Sequence, residues 1–185
     1  MNTIPLARKD FQRIIQFYLF ETPVRTYERS GKKGGPVTKD QPDPKYNYLF
    51  KKVSKRGITF ADRNLDGSKL NSLRAAMARV SNVKFIVVDD YGEVMKAASS
   101  FDEDTEYLVI KRNYENVSVT EGYFYFIRNA FAHGDFDVDG KIYTLKNEKN
   151  GNVKGMARIK EDSLLAWIDL VNMDAEDIKK AGRKK

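Results

Sequence analysis

One segment, residues 118–134, constrains the fold of this chain more than any other. Ser118-Val119-Thr120-Glu121 matches a capping box, in which the serine and the glutamate satisfy free amide donors reciprocally. Gly134 is placed to take the left-handed conformation that stops a helix. Between these signals Tyr123, Phe126, Ile127, Ala130 and Phe131 recur at helical spacing and make one apolar stripe. The pattern predicts a helix over about Val119 to Ala132 with that stripe against the core. At roughly 100° per residue, Arg128 and Asn129 fall on the opposite side and His133 toward its edge. Glu121, Gly122, Tyr125 and Ala132 fill the same face, and small residues there would let another surface approach closely.

The remaining elements are read outward from this helix. Phe11, Ile14, Ile15, Tyr18 and Leu19 form a stripe that predicts a first helix from about Leu6 to Glu21, with Pro5 near its start and Pro23 beyond its end. Leu70, Leu73, Met77 and Val80 predict a second helix from Ser68 to about Val80, after turn and cap chemistry at Asp66-Gly67-Ser68. Between Val83 and Arg112, Lys84 to Val88 and Tyr107 to Ile110 are short β-branched runs, and periodicity cannot separate strands from buried helical turns there. Asn150-Gly151 between Lys141–Lys146 and Val153–Lys160 is a hairpin signal. Leu164, Trp167, Ile168 and Val171 mark a last helix, followed by a basic tail. No internal repeat or second domain is evident, so residues 1–175 read as one domain and 176–185 as the tail.

The chain has no cysteine and one histidine. Disulfides, thiol nucleophiles and cysteine-containing zinc sites are thereby excluded, and any imidazole chemistry must use His133. Charge is unevenly placed. Between Pro23 and Arg56 ten basic residues stand against Glu28, Asp40 and Asp43, a surplus equal to the whole net charge of +7. Gly31, Gly34, Gly35, Pro36, Pro42 and Pro44 make the segment a flexible loop. It is either a solvated loop or a groove-lining loop for nucleic-acid backbone, with Lys32, Lys33, Lys51 and Lys52 as the RNA contacts. No apolar run reaches the ~20 residues of a membrane span. Charge within Met1 to Asp10 stands where a signal peptide would be apolar, which predicts a cytoplasmic protein with no membrane partner.

Asp135-Phe136-Asp137-Val138-Asp139-Gly140 imitates the start of a calcium loop, but the position that needs a bidentate glutamate is Lys146. It reads as an acidic turn opening the hairpin. No metal or other cofactor is expected.

Metal-free RNA cleavage has a 2′-hydroxyl attack the adjacent phosphorus. It profits from a base for that proton, an acid for the leaving 5′-oxygen, and a cation on the phosphorane. One chain offers His133 for a single proton role. Arg128 and His133, five residues apart, stand roughly 140° apart on an ideal helix. They meet at one phosphate only if the helix loosens before Gly134 or a second molecule completes the site. A symmetric dimer would bring two copies of each together. The bland alternative makes His133 a helix C-cap aided by the macrodipole and pairs Arg128 with Glu121.

Ile127-Arg128-Asn129-Ala130-Phe131-Ala132-His133-Gly134 resembles the signature of the HEPN superfamily: arginine, a polar residue, a short spacer, then histidine. The resemblance implies a mainly α fold, a helical bundle with a β-hairpin between the catalytic helix and the last helix. It also implies a homodimer whose composite site cleaves RNA without metal, as a toxin or anti-phage effector, with an antitoxin or regulatory protein as a further partner. In that reading Arg128 binds the scissile phosphate, His133 is the general base or acid, and Asn129 orients the pair or bonds the phosphate. Where related toxins that pair with a nucleotidyltransferase antitoxin often carry a modifiable tyrosine two residues after the histidine, this chain has Asp135. The alternative within the same resemblance is a non-catalytic module that binds RNA or protein.

Overall fold

Strand formation begins where periodicity is silent. In a computed structural model, which describes residues 5–22, 68–114 and 117–183, both β-branched runs are strands: β1 (Lys84–Val88) and β2 (Tyr107–Lys111). They pair in parallel, Lys84 opposite Tyr107 and Val88 opposite Lys111. Three more strands follow, β3 (Phe136–Asp139), β4 (Ile142–Lys149) and β5 (Asn152–Lys160). The sheet order is β1-β2-β5-β4-β3, antiparallel everywhere except between β1 and β2. The β4–β5 hairpin turns at Asn150 and Gly151, both with positive φ (54° and 76°), as a tight turn matched to strand twist requires.

Six helices surround the sheet among the described residues. These are α1 (Lys9–Ile15, continued by a π-helical turn Gln16–Glu21), α2 (Ser68–Val80), α3 (Tyr91–Ala98), α4 (Val119–His133), α5 (Glu161–Asn172) and α6 (Ala175–Ala181). Leu108 and Ile110 of β2 point into the main core with α1, α2, α4 and α5, while Tyr107 and Val109 point to a smaller core under α3. The sheet therefore separates a helical layer from a single helix on its other face.

The expected mainly α bundle is overturned by this sheet: the fold is mixed α/β. The physical reason lies in β2, buried on both faces, where alternation disappears and a strand resembles a buried helical turn. The acidic turn is also corrected. Asp135 to Gly140 contains β3, with Val138 buried and Asp137 and Asp139 exposed. In α1 the wider i→i+5 bonding of Gln16–Glu21 rotates the later side chains, so Phe17 is buried where the stripe placed Leu19. Ala76 likewise takes the buried position expected of Val80. The start of the expected tail is α6, whose Ile178 is buried. The cap at Asp66-Gly67 and the basic segment with Lys32, Lys33, Lys51 and Lys52 lie outside the described residues.

Two carboxylates join the layers. Glu161, 1% exposed, pairs with Arg8 and accepts a hydrogen bond from Tyr143 Oη at 3.0 Å, which ties the start of α1 to α5 and β4. Lys160 precedes α5 without a side-chain cap of its own. Glu106 supplies one from 54 residues away, accepting from Lys160 N (2.7 Å) and Ser163 Oγ (2.8 Å), as a carboxylate at a helix N-terminus should. Glu106→Ala strips the buried Ser163 hydroxyl and the α5 entrance of this acceptor, an expected loss of about 1–3 kcal/mol. A urea titration reads it as a lower midpoint at constant slope. An unmoved midpoint would mean that water serves the α5 entrance as well as the carboxylate does.

Candidate functional site

Both ends of α4 are closed by local chemistry. Ser118 Oγ accepts from Glu121 N at 3.3 Å, and the Glu121 carboxylate accepts from Ser118 N at 3.2 Å and from Ser118 Oγ at 2.8 Å. At the other end Gly134 stands at φ 73°. Its N–H donates to Phe131 O (3.3 Å) and that of Asp135 to Ala130 O (2.9 Å), the pair of bonds that defines a Schellman stop. The helix stays α-helical through His133.

Its surroundings differ from those of a surface helix. Every residue from Thr120 to Ile127 is buried, because the helical layer covers one side and the sheet the other. Two glycines allow the close approach. A Cβ on Gly155 of β5 would lie 2.6 Å from Phe126 Cδ2, and one on Gly122 would lie 3.1 Å from Ile110 Cδ1 and 3.4 Å from Tyr114 Cβ. Gly122 was expected to admit another surface; the space beside it is taken by Ile110 and Tyr114 of the same chain.

Beyond Ile127 the last turns of α4 reach solvent. Ala132 and His133 are exposed, and Arg128 and Asn129 are half-buried. Arg128 Nη1 donates to Asn129 Oδ1 at 3.4 Å, and Asn129 Nδ2 donates to Tyr114 Oη at 3.4 Å. Burial lowers the Arg128 pKa, which the nearby Tyr125 opposes; a guanidinium remains charged regardless. The structure thus brings Arg128 and Asn129 together. It does not bring His133 to them: no hydrogen bond or ion pair joins His133 to either among the described residues. With the helix regular to its stop, the roughly 140° between Arg128 and His133 persists, over a rise of about 7.5 Å.

Tyr114 and Lys154 were missed from sequence. Tyr114 lies in the turn after β2, and Lys154 Nζ of β5 sits 5.8 Å above its ring. Nothing local marks either residue, since sheet pairing brings them to α4. Three exposed aspartates, Asp135, Asp137 and Asp139, follow His133. None of the described helices is long and apolar enough to cross a membrane. No protein-family profile, curated protein or solved structure matches the chain.

Proposed function

We propose that the exposed end of α4 is one half of an RNA-cleaving site, completed by a second copy of this chain, and that the protein is a metal-independent endoribonuclease. The observation that carries the reading is the regular helix up to its Schellman stop. It removes the possibility that a loosened helix lets Arg128 and His133 converge within one chain. It leaves the chain's only imidazole in solvent, on the same helix as an arginine–asparagine pair but turned away from the arginine. Two such ends facing each other would supply two imidazoles, one to take the 2′-hydroxyl proton and one to protonate the leaving 5′-oxygen. Arg128 would neutralise the phosphorane, and its half-buried position strengthens that interaction by excluding water. The resemblance of residues 127–134 to the HEPN signature supports the same chemistry, although the surrounding fold is not the helical bundle it implies. It further supports a toxin or phage-defence setting with a restraining protein partner.

The test is cleavage of single-stranded RNA by purified protein in EDTA. Activity is expected to persist and to leave 2′,3′-cyclic phosphate ends. A requirement for magnesium, or products with 5′-phosphates, would rule out the Arg128–His133 chemistry. The splayed geometry within one chain favours a second reading, an RNA- or protein-binding module. Tight binding without cleavage by a monomer would select it.

A further inference from the structure

We propose that Tyr114 is a positioning residue for this site, acting through Asn129 on Arg128. The inference rests on the ribonuclease reading for its consequence, but not for its geometry. A guanidinium has only donors, so the atom that Asn129 turns toward Arg128 must be its carbonyl oxygen. Its amide nitrogen then faces Tyr114, whose hydroxyl oxygen accepts. The relay is polar and directional: Tyr114 holds the amide in one of two orientations, and the amide holds the guanidinium. Were the amide free to flip, its NH₂ group would face the guanidinium, donor against donor, and push it off its position.

The hydroxyl can do this because the ring cannot move. Tyr114 is 4% exposed. Phe126 meets it at right angles with centroids 6.2 Å apart, and the Lys154 ammonium lies above it. Gly122 leaves room for its Cβ on α4. So buried a ring offers no face for a base to stack on, which leaves the hydroxyl as its working atom. Both relay bonds are long, at 3.4 Å, so they hold by direction more than by strength.

Tyr114→Phe deletes the acceptor and keeps the packed ring. Three readouts on the full chain separate positioning from folding. First, the Asn129 side-chain amide resonances in a ¹⁵N–¹H spectrum should shift in Tyr114→Phe while the thermal midpoint holds. Second, kcat for a single-stranded RNA should fall about tenfold with KM unchanged, the effect of one hydrogen bond felt mainly in the transition state. Third, in an Asn129→Ala background the same change should cost nothing further, since the path runs through the amide. An unmoved Asn129 amide overturns the proposal, and so does an equal loss of kcat in both backgrounds. If the wild-type chain cleaves no RNA, the ribonuclease reading fails, and the amide resonance still decides whether Tyr114 sets the orientation of Asn129.

Discussion

If the proposed composite site cleaves RNA, His133→Ala is expected to lower that cleavage by about 10²–10⁴-fold, the range for removing a general acid or base, and also to silence a wild-type partner. The first effect follows from composition: no second imidazole exists in the chain to take over. Because His133 is exposed and lies outside the core, the variant should keep the wild-type thermal midpoint, so lost activity is lost chemistry. The second effect follows from geometry. If acid and base sit on different protomers, a dimer with one His133 lacks one of them. After full subunit exchange at equal mixing, about a quarter of the dimers carry both histidines. Activity should then fall to about a quarter, following the square of the wild-type fraction. If each chain works alone, activity follows the fraction itself, about a half. Mixing Arg128→Ala with His133→Ala gives an independent reading, since recovered activity would mean that one arginine and one histidine from opposite chains suffice. Linear dependence without recovery would place the chemistry inside one chain and sink the composite site.

What could be read beforehand was whatever a short stretch encodes by itself. The ends of α4 are such a case: Ser118, Glu121 and Gly134 act on backbone within a few residues, and the structure uses them as the pattern implies. The Asn150-Gly151 turn and the buried face of α5 are similar. Two local signals were present and unread. Asp90 and Glu93 form a capping box at the start of α3, and Phe136 and Val138 alternate with aspartates that looked like an acidic turn. The sheet as a whole was not legible. Its inner strand β2 is buried on both faces, and its meaning depends on pairing with β5 from about 45 to 51 residues away. That pairing also decides the site. Arg128, Asn129 and His133 could be named because they share one helix. Tyr114 reaches it from the turn after β2 and Lys154 from β5, and Gly155 makes sense only once Phe126 is seen lying on it. The burial of α4 on every side from Thr120 to Ile127 has the same origin: an apolar stripe tells of one partner layer, and here there are two.

The second large effect concerns the layer that seats α4. Trp167→Ala is expected to destabilise the protein by about 3–5 kcal/mol, as truncation of a buried aromatic does, out of a total stability of about 5–15 kcal/mol. Trp167 of α5 is fully buried; its ring lies 5.5 Å from that of Phe85 on β1, and its Nε1 donates to Met77 O on α2 at 3.3 Å. Removing it opens a void where a helix of its own layer and the sheet meet, and none of these three elements can close that void without leaving another neighbour. The hydrogen bond is the lesser part of the loss. Met77 O also accepts from Ser81 Oγ at 2.7 Å, so the carbonyl keeps a partner when the indole is gone. Trp167→Phe, which forfeits the same hydrogen bond but less volume, should therefore cost clearly less than Trp167→Ala. Urea titrations of the two variants at constant slope separate the contributions. Equal costs would assign the stability to the Nε1 bond. A cost below about 1 kcal/mol for Trp167→Ala, within the range of an ordinary surface change, would mean that α5 does not join β1 to α2. The support proposed for α4 and its exposed end would then have to come from elsewhere.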